Sequence, residues 1–221
     1  IRGPWAAATH LQRLVQLARQ LHLSGQAKEK SDKNVPDQVR PLVAALDYWV
    51  KHDFRNPNWW HNVIGTPLQI INCLSLLEEF LSPRRIAAAL KIAKRSRCEL
   101  TSEIDAQRLT GQNLVWFAGN QVMWGCFAKD KPAIRRAFAA MLGEMRVAAE
   151  GQEGLQPDAS FYQHGLVIYN GGYGLRFAED CARFIHLAHG TPYQIPKEQV
   201  GIVVDYVLDG QQWMVFGTTF E

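Results

Sequence analysis

The sequence contains few cysteines, and none of them lies in a pattern typical of a metal site. There are four among 221 residues, with no C-x-x-C pair and no clustering with histidine that would indicate zinc. We therefore predict no metal ligand set and interpret the cysteines as small buried hydrophobic residues. They are Cys73, Cys98, Cys126 and Cys181.

Long apolar runs and a strong excess of one charge are also absent. No stretch approaches the roughly 18 to 20 apolar residues that span a bilayer, which excludes a transmembrane helix. The net charge of +3, from 24 basic and 21 acidic residues, does not require a nucleic-acid partner, although it suits a polyanionic ligand. The chain starts at Ile1 without a charged and apolar leader, so we expect that any targeting peptide has been removed or lies outside this sequence, and that the chain is a piece of a longer protein.

The sequence does have a strong helical periodicity. Proline opens an apolar run at four places, and it is tolerated at the first helical position because its missing N–H would have had no partner there. These places are Gly3-Pro4, Thr66-Pro67, Ser82-Pro83 and Ile195-Pro196. The apolar spacing predicts helices over 4–22, 36–51, 67–81, 83–98, 111–128, 132–149, 174–189 and 197–208.

Strand patterns are nearly absent, so the predicted fold class is mainly α. Helices joined by short connectors are expected to pack as successive antiparallel hairpins, here in a single domain over 1–221. Long connectors interrupt the pattern at 23–35, 52–66 and 150–173. The last two are rich in aromatic, amide and histidine side chains, and loops of this kind on a rigid scaffold are where function concentrates.

The connector 52–66 contains two adjacent tryptophans, Trp59 and Trp60, preceded by Asn58. Two neighbouring side chains cannot both point into one core from a regular helix. We therefore expect at least one indole to face a cleft, where it can stack on a sugar ring. The alternative is that both indoles fill the core between helices.

Residues 110–113, Thr-Gly-Gln-Asn, open the helix that is predicted over 111–128. The amide of Asn113 is able to bind a ligand carboxylate, or it could cap the helix N-terminus. From these residues alone, capping is the simpler interpretation.

The connector 150–173 ends in a glycine-rich segment around Tyr173, nine residues after His164. Glycines permit backbone shapes that are barred to other residues and let a ligand approach closely. The imidazole and the phenol could converge on one reacting proton from two sides of the loop. A purely structural histidine is the alternative.

Together the three segments resemble polysaccharide lyase family 8, the hyaluronate, chondroitin AC and xanthan lyases. That family has N-W-W-x-x-x-I-G-x-P, T-G-x-N, and D-x-S-F-x-Q-H followed by a glycine-flanked Y-G, in this order. The sequence has all three motifs with similar separations, and the resemblance covers roughly residues 5–215. The matching positions are 58–60 with Ile64, Gly65 and Pro67, then 110–113, then 158–164 with Tyr173 and Gly174.

The resemblance implies an incomplete α/α toroid without the family's C-terminal β-sandwich domains. It also implies cleavage of a uronate-containing acidic polysaccharide by β-elimination, without metal or cofactor, in a secreted or periplasmic monomer that binds neither nucleic acid nor membrane. Asn113 would stabilise the developing aci-carboxylate, and His164 and Tyr173 would carry the proton. The implied substrate-binding residues are Asn58, Trp59, Trp60 and Gln163, to which we add Arg176 as the nearby positive charge that a tyrosinate needs.

The sequence departs from the family pattern at several positions. His61 and Val63 stand where acidic residues are usual, and this change could alter which sugar fits. An arginine cluster is expected after a Met-Val-Arg-Gly-like segment, but residues 214–217 read Met-Val-Phe-Gly. The arginines and the glutamate-bearing β-sandwich half are therefore missing from this chain.

Two other functions remain open on the sequence. A non-catalytic domain could keep Trp59 and Trp60 and hold acidic glycans without cutting them. A glycoside hydrolase on a related toroid would need two carboxylates that face each other across the cleft, and Glu153 and Asp158 are the acids near the loop.

Overall fold

The fold consists almost entirely of helices, as the periodicity predicts. A computed structural model describes residues 5–24, 35–98, 109–217 and 219–220. These described residues contain eight α-helices and two short antiparallel β-hairpins. The prediction of a mainly α fold is confirmed, and the closure of the helical hairpins into an incomplete toroid stays a prediction.

The chain divides into two units, Ile1–Ser96 and Arg97–Glu221. The first contains α1 (Ala6–Leu23), α2 (Arg40–His52), α3 (Thr66–Leu77) and α4 (Pro83–Ala93). The second contains α5 (Gly111–Ala128), α6 (Lys131–Glu144), β1 (Gly154–Leu155), β2 (Phe161–Tyr162), α7 (Leu175–Ala188), α8 (Lys197–Asp205), β3 (Val215–Phe216) and β4 (Thr219–Phe220). The expectation of one domain over 1–221 likewise stays a prediction.

The core of the first unit is built from apolar stripes on its helices. The indole of Trp49, near the end of α2, is fully buried and donates from Nε1 to the carbonyl oxygen of Ala7 at 3.0 Å. This bond ties the end of α2 to the start of α1, as in an antiparallel hairpin, and it satisfies the one polar atom of a buried indole. Other buried residues of these two helices are Leu11, Leu14, Val15, Ala18, Leu42, Val43 and Leu46.

Helix starts follow the proline signals, with one informative difference. Ser82 accepts a hydrogen bond from the backbone N–H of Arg85 and caps α4, as expected from Ser before Pro. Thr66 does not cap α3, because the chain is already helical before it. A π-helical turn, His61–Gly65, runs directly into α3, so the helical segment begins at Trp59.

Two helices end earlier than the periodicity predicts. The run 83–98 is helical only to Ala93, and the run 132–149 only to Glu144. After α6 the chain pairs with β1 instead, since the N–H of Ala148 donates to the carbonyl oxygen of Leu155 at 2.7 Å. A hydrogen bond of this kind, to a strand that follows the helix, overrides the local helical pattern.

The core of the second unit lies where α5, α6 and α7 meet β2. Phe161 of β2 packs against Phe177 of α7, with ring centroids 5.0 Å apart. Both are fully buried, so the connector 150–173 is anchored in the core rather than lying on the surface. Further buried members are Val115, Ala118, Val122, Ala137, Met141, Cys181, Phe184 and Tyr206.

The prediction that the cysteines are buried is confirmed for Cys73 and Cys181 and wrong for Cys126, which is exposed on the last turn of α5. Cys98 is half-buried. A small apolar side chain needs no core position when its helix face meets solvent. Among the described helices, none is long and apolar enough to cross a membrane.

Candidate active site

The N-terminus of α5 is held by two carboxylates. Thr110 precedes the helix in an extended conformation and makes no capping hydrogen bond; its hydroxyl donates instead to Glu153 Oε2 at 2.6 Å. The N–H of Gly111 donates to Glu144 Oε2 at 2.7 Å. Burial raises the pKa of Glu144, because a desolvated carboxylate is less easily charged. The first free N–H group of the helix is thus satisfied by a side chain of another element.

Asn113 lies inside the first turn of α5 and is 3% exposed. The capping interpretation is wrong, because the N-cap residue is Thr110. The Oδ1 atom of Asn113 is enclosed and has no hydrogen-bond partner among the described residues. Buried polar side chains without a partner are rare in folded proteins and call for an explanation, which makes Asn113 a candidate for ligand binding.

His164 sits at the tip of a tight loop that follows β2. The N–H of Gln163 donates to the carbonyl oxygen of Val167 at 3.0 Å, so the chain reverses across this loop. His164 and Gly165 both have left-handed backbone conformations, with φ of 61° and 81°. This conformation is uncommon for a residue other than glycine, and it turns the exposed imidazole towards the segment that carries Tyr173.

The imidazole and the phenol meet as the spacing predicts. His164 Nε2 lies 2.9 Å from the Tyr173 hydroxyl, and the ring centroids are 4.9 Å apart at an interplanar angle of 85°. His164 is exposed and Tyr173 is half-buried, so solvent reaches the pair. The structure therefore brings two proton-carrying groups into direct hydrogen-bond contact at a surface.

The Tyr173 ring is held on two further sides by aromatic rings that the sequence analysis did not assign. Trp116 of α5 lies 5.5 Å from it and Tyr169 lies 4.9 Å from it, between ring centroids. Gly172 could have indicated that Tyr169 packs against this turn, because the Tyr169 ring lies where a Cβ of residue 172 would be. Burial, followed by the charges of Tyr169 and Glu153, raises the pKa of Tyr173 above the ordinary value of a phenol, so the phenol is protonated at neutral pH.

Tyr173 belongs to a π-helical turn, Asn170–Gly174, that runs into α7. The Oδ1 atom of Asn170 accepts from the N–H of Phe161 at 2.6 Å, which fixes the turn to β2. Gln211 donates from Nε2 to the carbonyl oxygen of Asn170 at 3.4 Å. Single π-helical turns are frequent at functional sites, and this one is anchored from two directions.

We predict that Gly174→Ala destabilises the second unit. The added Cβ would overlap the Tyr206 hydroxyl and lie 2.9 Å from Phe161 Cβ, both in the core. We expect the free energy of unfolding to fall by about 1 to 3 kcal/mol, measured by chemical denaturation.

Gly201→Ala in α8 is the matched control, since nothing lies within 4 Å of its added Cβ. Removing a glycine from a helix is expected to leave stability unchanged or raise it by up to about 1 kcal/mol. Equal losses in the two variants would contradict the packing explanation.

Two side chains that we predicted as substrate ligands are engaged with the protein itself. Gln163 is 1% exposed; its Oε1 accepts from the N–H of Gln112 at 2.9 Å and its Nε2 donates to Glu153. Arg176 is exposed and pairs with Glu179 on the next turn of α7. Gln163 is thus a buried support of the His164 loop. Arg176 is not among the groups that shift the pKa of Tyr173.

In the first unit, Asn58 starts the helical segment that carries the two tryptophans. Its Oδ1 accepts from the N–H of Trp60 at 3.0 Å, as in a cap. Trp59 and Trp60 are both half-buried, so neither indole is enclosed in the core. His61, at a position where the family usually has an acid, packs edge-on against Trp60, and burial lowers its pKa.

The carboxylates required by the hydrolase alternative are both engaged in hydrogen bonds with the protein itself. Asp158 Oδ1 accepts from the N–H and the hydroxyl of Ser160 at 3.0 and 2.7 Å. Glu153 accepts from Thr110, Gln163 and, at 2.6 Å, from the N–H of Gly165. These bonds favour structural roles over hydrolysis. Within the described ranges there is no group of three His, Cys, Asp or Glu side chains that could hold a metal ion.

Known proteins are similar to this chain in sequence. Chondroitinase-AC of Pedobacter heparinus is 25% identical over 217 residues, which is 98% of this chain and 30% of that enzyme. Hyaluronate lyase of Staphylococcus aureus is 26% identical over 170 residues, which is 73% of this chain and 21% of that enzyme. This chain therefore spans less than a third of the length of these two relatives.

Solved structures show the same fold at lower identity. The chondroitin AC lyase of Streptomyces coelicolor A3, solved in complex with chondroitin sulphate, superposes with a TM-score of 0.80 at 21% identity over 95% of this chain and 28% of that one. The family profile described as polysaccharide lyase family 8, N terminal alpha-helical domain, matches residues 4–218. Since that match takes in nearly the whole sequence, the chain belongs to polysaccharide lyase family 8 and corresponds to its N-terminal α-helical domain.

Proposed function

We propose that this protein is a polysaccharide lyase that cleaves a uronate-containing acidic polysaccharide by β-elimination and leaves 4,5-unsaturated uronate ends. The observation that supports the proposal is the hydrogen bond of 2.9 Å between His164 Nε2 and the Tyr173 hydroxyl, which is accessible to solvent. Asn113, a buried side chain whose Nδ2 is a hydrogen-bond donor, belongs to the same unit. The protein would act as a secreted or periplasmic monomer, without metal, cofactor, nucleic-acid or membrane partner.

The first step removes the proton on C5 of the uronate. This proton is weakly acidic, because the neighbouring carboxylate resists further negative charge. A hydrogen-bond donor on that carboxylate stabilises the charge that develops, and a preorganised donor of this type is commonly worth about 3 to 4 kcal/mol. We assign this donor to the Asn113 amide.

The proton then moves from C5 to the leaving glycosidic oxygen as the C4–O bond breaks and the C4–C5 double bond forms. Tyr173 is protonated at rest, since burial raises the pKa of its phenol. It becomes a base only by passing its proton to His164 Nε2, which is in hydrogen-bond contact. Tyr173 would next take the C5 proton and return it to the leaving oxygen, or His164 would take the C5 proton itself; the contact serves both routes.

We assign substrate binding to Trp59 and Trp60, because both are half-buried and leave part of their indole surface accessible for stacking on a sugar ring. Asn58 supports them by capping the segment that carries both indoles. Gln163 is assigned a supporting role beneath the loop, because its amide is already occupied.

The test is direct. Incubation with hyaluronan, chondroitin, alginate and pretreated xanthan should raise the ultraviolet absorbance of a 4,5-unsaturated uronate on at least one polymer. New reducing ends without this absorbance would indicate hydrolysis, which leaves the non-reducing ends saturated. Tight glycan binding without product would indicate a non-catalytic binding domain. Either result would overturn the lyase proposal.

A further inference from the structure

The carboxylate of Glu153 joins the two segments that carry the proposed catalytic residues. On the side of α5, Oε2 accepts from the Thr110 hydroxyl at 2.6 Å. On the side of the His164 loop, Oε1 accepts from the N–H of Gly165 at 2.6 Å, and Oε2 also accepts from Gln163 Nε2. One side chain therefore bridges the segments immediately before Asn113 and on both sides of His164.

We propose that Glu153 is a positioning residue that locks the His164 loop onto the start of α5 and so keeps the imidazole in hydrogen-bond contact with Tyr173. The effect of Glu153 on catalysis rests on the proposed lyase function. Its effect on the position of the imidazole is independent of that function.

The His164 loop depends on external bonds for its shape. His164 and Gly165 have φ of 61° and 81°, and a left-handed non-glycine residue persists only where its surroundings hold it. The residues that follow, Leu166, Val167 and Ile168, are exposed. Gly165, the residue next to His164, donates its N–H to Glu153, and this bond ties the loop to a side chain outside it.

Further hydrogen bonds connect Gln163 through the start of α5 to α7. Gln163 Oε1 accepts from the N–H of Gln112 at 2.9 Å, and Gln112 Nε2 donates to Asp180 Oδ2 of α7 at 2.7 Å. Gln112, Gln163 and Asp180 are all buried. Gly111 leaves room for the Gln163 side chain, because a Cβ on residue 111 would lie 2.5 Å from Gln163 Oε1.

The chemistry of the bridge requires a carboxylate. Three donors converge on the two oxygens of Glu153. An ionised carboxylate accepts at both oxygens and donates nothing, whereas an amide presents N–H groups on one side. Glu153→Gln would therefore set an N–H₂ group against at least one of these donors, with almost no change in side-chain volume.

The experiment compares Glu153→Gln with Glu150→Gln, which removes the same charge from an exposed residue three positions earlier. Thr110→Val is a milder variant that removes a single donor from the bridge at constant shape. Each protein is labelled with ¹⁵N, and the ring nitrogens of His164 are observed by long-range ¹H–¹⁵N spectroscopy at about pH 8, where a histidine of ordinary pKa is neutral. Thermal unfolding is recorded in parallel.

In the unchanged protein, the contact with Tyr173 should give His164 two well-separated ring nitrogen signals, as expected for one dominant tautomer. Glu153→Gln should collapse them towards the averaged values of a free imidazole, and Thr110→Val should shift them partly in the same direction. Glu150→Gln should leave them unchanged. A His164 spectrum in Glu153→Gln equal to that of the unchanged protein overturns the proposal; if that variant does not fold, an unshifted spectrum in Thr110→Val overturns it.

Activity provides the second measurement. Glu153→Gln should lower kcat by about 10- to 100-fold with little change in KM, since misplacement of a reacting group by about 1 Å has an effect of this size. Unchanged turnover would overturn the catalytic role of the lock. Absence of activity in the unchanged protein would instead remove the proposed function and leave the spectroscopic test of His164 intact.

Discussion

Tyr173→Phe is expected to lower turnover on the cleaved polysaccharide by about 10³-fold, within the range seen when a general acid or base is removed. The substitution deletes only the hydroxyl that contacts His164 Nε2. It keeps the ring that packs against Trp116 and Tyr169. Substrate binding and thermal stability should therefore change little, and the loss should appear in kcat, measured as the rate of formation of unsaturated product.

Tyr48→Phe in α2 is the matched control, because its ring is 53% exposed and it makes the same chemical change in the other unit. It should retain full turnover. If Tyr173→Phe keeps more than about a tenth of the activity, the proton passes through another group, and His164 alone would have to be the base.

Asn113→Asp is expected to produce the second large loss, of about 10²- to 10³-fold in kcat/KM, comparable to the removal of one preorganised donor. The change is isosteric but replaces an amide donor by a carboxylate at a position that is only 3% exposed. It would place a negative charge beside the carboxylate of the uronate, so that charge developing in the transition state is repelled rather than stabilised.

Asn72→Asp, at a half-buried position of α3, controls for the added charge. It should leave turnover unchanged. The two variants are compared by steady-state kinetics at several pH values: protonation of the introduced carboxyl group would restore a donor, so activity in Asn113→Asp should rise as the pH falls. Equal activity of Asn113→Asp and the unchanged protein would show that the amide does not contact the carboxylate.

The helices themselves were predictable from the sequence. Apolar spacing located each of the described helices, and the start of α4 was predicted from Ser82 and Pro83, whose capping and N–H chemistry is local. The ends of α4 and α6 were not predictable to better than five residues. The end of α6 depends on the backbone bond from Ala148 to Leu155, which the apolar periodicity of the run does not encode.

The candidate site was predictable in part. The residue types and spacing of His164 and Tyr173 indicated that they would converge, and the contact between them agrees. Capping by Asn113 was the simpler local explanation and is wrong, because Glu144 and Glu153 bind the start of α5 from other elements. The roles of Gln163 and Glu153 were hidden for the same reason, since a buried hydrogen bond is defined by its partner.

By itself, the sequence determined that this chain is helical, where most of its helices begin and which side chains are candidates for chemistry, because apolar periodicity and side-chain pKa ranges are properties of short segments. Only the tertiary structure decided which of those side chains face each other and which support them. A left-handed His164, a buried amide oxygen without a partner at Asn113 and a carboxylate that bridges two segments all depend on the packing of elements that are distant in the chain.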